Sequence, residues 1–399
     1  MSERVVLAFS GGLDTSWCVP HLIDQGFDVI TATVDVGGFS KHDLEDLAIR
    51  SKALGASQHL HIHAKEAYYR EVVKYLIFGN VTRGGGYPLC VGAERSIQAR
   101  EVALAARRLG ATTVAHGCTA AGNDQIRFEV TTRAVAPELS ILAPVRDEAP
   151  ARAEQISLLT DRSLPLPAHG AAYSVNTGLW GITIGGVETT RTESSIPESE
   201  WIRTKGAFDH LESPRTLVIG FRGGEPVSLD GIEKSPVDLI EELDGIAGKF
   251  GIGRGIHLGE TILGIKGRVA YEAPAAFVIL AAHRELEKLT LTKRQAQIKD
   301  IVSQSYGEWV HEGLFTEPAC RDLEALLDSS QARVSGEASV LLRTGSAFVS
   351  GSTSPYSLHA ASRAVYGEAV GEWTPEDAKG FCRIYGLPSI LHARAGTTQ

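Results

Sequence analysis

Residues 5–16, VVLAFSGGLDTS, constrain this chain more than any other stretch: an apolar, β-branched run breaks at Ser10-Gly11-Gly12 and yields to a helix start near Asp14, Thr15 and Ser16. Adjacent glycines allow a tight turn and a close approach of backbone to ligand. The first amides of the following helix have no internal acceptors, so strand, turn and helix together form an anion cradle. A nucleotide phosphate is its natural occupant, with the hydroxyls of Ser10, Thr15 and Ser16 as added donors. The motif is not GxxxxGK[ST], since no Lys follows the turn, and not GxGxxG. Two glycines alone would require no more than a flexible turn. The clustering of Ser, Gly, Gly, Asp, Thr and Ser at the carboxyl end of a first strand, where open α/β sheets bind ligands, favours the binding reading.

The segments that follow alternate strand and helix periods. Strands are expected at 5–9, 29–34, 59–63, 113–116 and 141–144, and helices at 15–24, 42–54, 65–78 and 93–109, with Gly26, Gly55 and Gly110 as helix stops. This is the pattern of a doubly wound parallel sheet. Pro165 and Pro167 favour an extended connector, which divides a first domain, 1–165, from an α+β domain, 166–365. In the latter, 216–221 and 227–229 form a hairpin around Gly223-Gly224, helices cover 236–250, 275–289 and 294–312, and strands lie at 338–343 and 347–350. The remainder, 366–399, reads as a C-terminal arm: Thr374, Pro375, Glu376 and Asp377 are an N-cap, an N1 proline and acidic first-turn residues of a helix ending near Tyr385. So short a helix is marginal alone. Its Phe381, Ile384 and Tyr385 need a surface, either the body of this chain or a neighbouring subunit.

Composition narrows the function classes. Of the 399 residues, 43% are apolar and 22% charged, near the globular average. A net charge of −9 gives no footprint for non-specific nucleic-acid binding. No run approaches the ~18 apolar residues of a membrane span, so no membrane partner is expected. Cys18, Cys90, Cys118, Cys320 and Cys382 contain no C-x-x-C pair, and the first residues lack a secretory pattern, so a reducing cytoplasm is expected.

A second chemical motif is the run 117–129, GCTAAGNDQIRFE, preceded by His116. If a helix opens at Asn123, then Asn123, Asp124 and Arg127 share one face. An amide, an anion and a cation together suit an amino acid: Arg127 can pair with a carboxylate and Asp124 with an ammonium. The plainer alternative is an exposed Asp-Arg pair worth a few tenths of a kcal/mol, and the preceding strand and glycine turn argue against it.

SGGLDTS resembles the signature of the PP-loop ATP pyrophosphatases, and the 117–129 segment resembles the HGxTGKGNDQxRFE segment of the argininosuccinate synthase family. The segments 87–89, 173–174, 251–254, 271–274 and 377–381 are similar to that family in the same order, so the resemblance runs nearly end to end. It implies an adenine nucleotide α hydrolase-like first domain, a synthetase domain for substrate binding and multimerisation, a homotetramer, and the substrates ATP, citrulline and aspartate, with Mg²⁺. By resemblance, ATP is held by Ala8, Phe9, Ser10, Gly11, Gly12, Leu13, Asp14, Thr15, Ser16, Val34 and Gly117. Aspartate falls to Thr119, Asn123 and Asp124, and citrulline to Asn123, Arg127, Tyr87, Ser174, Thr183 and Tyr271. Asp14, Asp124 and Arg127 are the expected catalytic residues, with Asp14 ordering the metal or the loop. The implied reaction has two steps: the ureido oxygen of citrulline attacks the α-phosphorus, then the aspartate amine displaces AMP.

The resemblance breaks in the pocket for the α-amino end of citrulline. Where the family continues Gly-Thr-Ser or Gly-Thr-Ala, this chain reads Cys90-Val91-Gly92, so Val91 or Gly92 replaces a hydroxyl. Gly259 stands where a citrulline-binding Glu is usual, with Glu260 one place along as its candidate substitute, and a usual Ser is Thr183. Losing a carboxylate near an ammonium while gaining room also admits an N-acylated (acetyl or succinyl) citrulline.

His59, His61 and His63 alternate on one strand face as metal ligands can. With no acid or Cys in the pattern they read as a partly solvated face, and no metal ligand is assigned. Cys118 has no matching His-Asp pair, so it is not expected to be a nucleophile. A non-catalytic nucleotide-binding regulator, or a PP-loop tRNA-modifying enzyme, remains the rival class; the second lacks basic surface and reactive cysteines here.

Overall fold

The computed structural model describes residues 2–167 and 173–396. Five short strands, β1 (Arg4–Ala8), β2 (Asp28–Asp35), β3 (Gln58–His63), β4 (Thr113–Ala115) and β5 (Ser140–Leu142), form one parallel sheet in the order β3-β2-β1-β4-β5. β1 sits at its centre with Val5, Val6 and Leu7 fully buried, as helices on both faces require. The strand order reverses between β1 and β4, so the loops leaving their carboxyl ends flank the crevice where doubly wound sheets take ligands. The helices α1 (Leu13–Asp24) and α2 (Lys41–Ala53) follow β1 and β2, and α2 opens on a Ser40–Asp43 capping box.

Two differences from the expected pattern have local causes. The run 65–78 is one helical stretch with a π turn at Tyr69–Val73. The wider turn lets Tyr68, Tyr69, Val72 and Val73 all reach the core. β5 stops at Leu142, because Pro144 instead opens a short helix, Pro144–Glu148, at the position where a missing N–H costs nothing.

The rest of the chain carries two antiparallel sheets. One is β6 (Ser174–Gly178), β7 (Gly181–Gly185), β11 (Arg254–Glu260) and β12 (Lys266–Glu272), ordered β11-β12-β7-β6. The other joins β8 (Arg215–Arg222), β9 (Glu225–Leu229), β10 (Ile232–Glu233), β13 (Gly336–Arg343) and β14 (Ser346–Thr353) in the order β10-β9-β8-β13-β14, and contains the expected hairpin. Helices Pro236–Gly248 and Pro274–Thr290 pack in the apolar core with this second sheet.

Register decides what the four-stranded sheet presents. Tyr271 lies opposite both Thr183 and Gly255, and Thr183 lies opposite Asn176. Since side chains alternate faces, Ser174, Asn176, Thr183, Tyr271, His257 and Gly259 share one face, and Glu260 is on the other. That shared face is turned toward the first sheet: Arg95 of the helix Glu94–Arg108 donates to Asn176 Oδ1 at 2.7 Å.

The C-terminal helices Pro375–Tyr385 and Leu387–Ala395 stand away from the body, with Phe381, Ile384 and Tyr385 all exposed. Thr374 is the N-cap and Pro375 the first helical residue, as expected, and Asp377 closes a capping box with Thr374. Among the described residues no helix is long and apolar enough to cross a membrane.

Candidate active site

The turn after β1 has the geometry of an anion cradle. Gly11 takes φ +73°, a left-handed conformation that strains any residue with a side chain, and a Cβ there would push on Leu47 Cδ2 at 2.2 Å. Arg50 Nη1 donates to the Gly11 carbonyl at 2.8 Å and pins the turn. Gly12 caps α1 in extended conformation without a side-chain cap, which leaves the first helical amides free for a ligand. Thr15 Oγ1 donates to the Gly12 carbonyl (3.3 Å) and faces Ser10 Oγ (3.2 Å). Ser16 is fully buried beneath, and its Oγ has no partner among the described residues.

Gly117, at the start of the loop after β4, lies directly against this turn: a Cβ there would meet Thr15 Cγ2 at 3.0 Å and Thr15 N at 3.2 Å. The two loops therefore share one crevice. Asp14 is held there by Gln155, whose Nε2 donates to Asp14 Oδ1 at 2.9 Å. Gln155 comes from the helix Arg152–Asp161, and sequence reasoning did not single it out.

Downstream, helix Asp124–Val135 opens as expected, and Asn123 immediately before it accepts the Ile262 amide on Oδ1 at 2.9 Å. Asp124 sits between two guanidiniums, Arg127 Nη1 at 2.8 Å and Arg95 Nε at 3.0 Å. Burial pushes the Asp124 carboxyl upward, but Arg95 and then Arg127 outweigh it and hold it at about 2. The pair is not the exposed surface bridge of the plainer reading, because Arg127 is buried and also donates from Nε to the His311 carbonyl at 2.8 Å. Thr119 lies exposed at the loop's edge beside Gly122, with Oγ1 3.4 Å from where a Gly122 Cβ would be.

His311, ending the helix Lys293–His311, is a residue the sequence did not reveal. Burial and the adjacent Arg127 and Arg83 push its imidazole down to about 3, so it is neutral. Its Nδ1 faces Arg127 Nη2 (3.2 Å) and its Nε2 faces Arg83 Nη1 (2.7 Å). A neutral imidazole has one acceptor nitrogen, so it can accept from only one of the two arginines; Arg83 also donates to the Glu260 carbonyl at 3.1 Å, and Arg127 also pairs with Asp124.

Opposite lies the shared face of the four-stranded sheet. The Tyr87 ring stacks on His257 at 4.9 Å and meets Tyr271 at 5.1 Å, while its hydroxyl donates to the Val91 carbonyl at 2.9 Å. The segment around it is strained: Leu89 is buried at φ +54°, with Trp180 Nε1 donating to the Pro88 carbonyl at 3.0 Å. Gly92, at φ +103°, lies against Arg127, and a Cβ there would stand 2.9 Å from the guanidinium carbon. Thr183 and Tyr271 are buried on this face and Ser174 lies at its edge. Val34, near the end of β2, is buried.

Glu260 is a correction. Strand alternation sends it to the opposite face, where its carboxylate meets Lys266 Nζ at 2.8 Å, exposed. It does not replace the carboxylate missing at Gly259. His257 occupies that place, since a Cβ on Gly259 would stand 2.5 Å from His257 Nε2, a buried atom without a partner among the described residues. The histidine strand needs a second correction: Asp35 of β2 joins His61 and His63, an acidic partner hidden from the linear sequence. Burial pushes the Cys118 thiol up to about 12, away from a reactive thiolate.

Residues 4–165 match the family described as "Arginosuccinate synthase N-terminal HUP domain", and residues 173–392 match "Arginosuccinate synthase C-terminal domain". Argininosuccinate synthase of Methanocaldococcus jannaschii is 38% identical over 98% of this chain and 98% of its own. The enzymes of the same name from Staphylococcus saprophyticus and Staphylococcus aureus are 38% identical over the same shares. Among solved structures, the match to NMN synthetase from Francisella tularensis covers 43% of this chain and 67% of that one, at 14% identity and a TM-score of 0.31. With both family domains matched and full-length relatives at this identity, the chain belongs to the argininosuccinate synthase family.

Proposed function

We propose that this chain is a C–N bond-forming ligase that joins citrulline to aspartate, consuming ATP and releasing AMP and pyrophosphate. One observation carries the reading: the phosphate-type turn after β1 and the Asp124–Arg127 pair after β4 open onto one crevice at the switch point of the sheet. Amides near Gly11 and Gly12 take the leaving diphosphate. Attack by the ureido oxygen on the α-phosphorus gives a citrullyl-adenylate. The aspartate amine, oriented by Asp124, then attacks the activated carbon and AMP departs. No covalent enzyme intermediate is needed, and the chain's contribution is alignment and fixed positive charge. The free helix-start amides and the orphaned Ser16 hydroxyl fit a phosphate, and the hard carboxylate of Asp14 fits the Mg²⁺ that accompanies ATP and neutralises its charge.

The chain works as a homotetramer in a cytoplasmic arginine-forming pathway on this reading, with the exposed C-terminal helices covering a neighbouring subunit. Free citrulline is the primary substrate. An N-acylated citrulline is the second reading, supported by the absence of a carboxylate from the β11 and β12 residues that share the Gly259 face. The test is to supply ATP and aspartate with citrulline, N-acetylcitrulline or N-succinylcitrulline, and to measure AMP, pyrophosphate and coupled product together. Pyrophosphate appearing only with a citrulline supports the ligase. ATP binding without turnover supports a regulator and defeats it.

A further inference from the structure

Beside the crevice, β2 and β3 bring together ligating atoms that the proposed ligation does not use. In their parallel register Thr31 lies opposite His59, Thr33 opposite His61 and Asp35 opposite His63. Alternation places all six on one face. The three histidines are not equivalent, because His59 turns inward and its Nδ1 pairs with Thr31 Oγ1 at 2.8 Å.

His61 and His63 are left with Asp35. The His61 Nε2 lies 4.0 Å from Asp35 Oδ2, and the two imidazole rings are 4.0 Å apart and tilted. One donor atom from each of the three residues lies within 4.8 Å of the others. Asp35 is buried, and its Oδ1 accepts the Gly37 amide at 2.9 Å. A carboxylate whose one oxygen is fixed by a backbone N–H, with the other facing two imidazoles, has the outer support that ligating carboxylates carry.

We propose that Asp35, His61 and His63 bind one first-row divalent cation of the Zn²⁺ class, with solvent completing the coordination. Two imidazoles and one carboxylate suit Zn²⁺, Co²⁺ or Ni²⁺ rather than Mg²⁺, which prefers oxygen donors. Bond lengths of about 2.0–2.2 Å require the donor atoms to close to roughly 3–4 Å, within reach of side-chain rotation. His63 is exposed, so the ion exchanges directly with solvent. Bound there, it ties the edge strand β3 to β2 and stabilises the folded chain by mass action.

The test uses full-length, tag-free protein dialysed against a chelator. Co²⁺ is titrated in while visible ligand-field absorption is followed, Zn²⁺ binding is measured by calorimetry, and melting is recorded with and without Zn²⁺. The site predicts one ion per chain, displacement of Co²⁺ by Zn²⁺, and a Zn²⁺-dependent rise in Tm. His63→Ala and His61→Gln each weaken binding by roughly tenfold or more and abolish the Tm rise, whereas His42→Ala, at an exposed histidine on α2, changes neither. Should His61→Gln fold poorly, the exposed His63→Ala decides alone. No bound ion, or binding that survives His63→Ala, overturns the proposal. Neither readout involves ligation, so the outcome is independent of the proposed activity.

Discussion

Arg95 Nε lies 3.0 Å from Asp124 Oδ2, and the same guanidinium reaches Asn176 Oδ1 at 2.7 Å, so one side chain ties the Asp124 helix to the four-stranded sheet across the crevice. Arg95 is accordingly a positioning residue for Asp124. Arg95→Met removes the strongest of the charges holding the Asp124 carboxyl down, while burial continues to push it up. Its proton affinity rises from about 2 toward or above the ordinary carboxylate value. The acid limb of kcat/KM for aspartate then moves to higher pH, with kcat/KM at neutral pH falling by roughly tenfold or more.

The stability consequence has the same sign. In the parent chain a depressed carboxylate contributes stability above its unfolded value of about 3.9 and loses it as pH falls toward about 2. Arg95→Met forfeits that contribution and unfolds at a higher pH in an acid titration followed by circular dichroism. An unchanged acid limb and an unchanged acid midpoint would show that Arg95 does not tune Asp124.

Two glycines are predicted to separate the nucleotide from the amino-acid half of the site. Gly11→Ala meets Leu47 at 2.2 Å in a left-handed conformation, costing about 1–3 kcal/mol and chiefly raising the KM for ATP. Gly92→Ala, strained likewise at φ +103°, presses on the Arg127 guanidinium and chiefly raises the KM for citrulline. Steady-state kinetics with each substrate varied in turn distinguishes them. Equal effects of both substitutions on both substrates would mean general unfolding instead.

Cys118→Ala should keep most of the activity. Burial keeps the thiol protonated, up to about 12, so it neither attacks substrate nor reacts readily with alkylating reagents at neutral pH. Pyrophosphate release by the variant, and by the parent after iodoacetamide treatment, checks this. More than roughly tenfold loss in both would implicate the thiol.

How much of this was legible in the linear sequence depended on whether the signal was local. The β1 turn, the opening of helix Asp124–Val135 and the Thr374 N-cap each lie within a few residues, so spacing exposed them. The four-stranded sheet was not anticipated, because Gly178, Gly181, Gly185, Gly255, Gly259 and Gly267 dilute its alternation. Arg95, Gln155, His257 and His311 reach the crevice from separate elements, and only packing brings them together. Asp35 joins the histidines through interstrand register, which no spacing encodes. Glu260 was misassigned for the converse reason: adjacency in sequence ignores the face to which a strand sends each side chain.

The exposed row Phe381, Ile384 and Tyr385 predicts a subunit contact, since the chain's own body does not cover it. Phe381→Asp with Tyr385→Asp should lower the mass seen by sedimentation while leaving the monomer's helical content nearly intact. A parent protein that sediments as a monomer, or a double variant that keeps the parent's mass, would remove the arm from the interface.

The pair Gly259 and His257 makes the sharpest statement about substrate. A Glu introduced at 259 runs into the His257 ring, its Cβ only 2.5 Å from Nε2. Gly259→Glu alone should therefore disturb the Tyr87–His257 stack and lower kcat/KM for every citrulline. Adding His257→Gly vacates the ring's volume and lets the new carboxylate reach the face that carries Thr183 and Tyr271. An ammonium on the substrate then gains an ionic partner that an acyl amide cannot use. The double variant should favour free citrulline over N-acetylcitrulline by roughly tenfold more than the parent does, about 1.4 kcal/mol. The non-additivity of the two substitutions is the decisive quantity. Purely additive losses, with no shift in preference, would place the α-amino end of the substrate elsewhere.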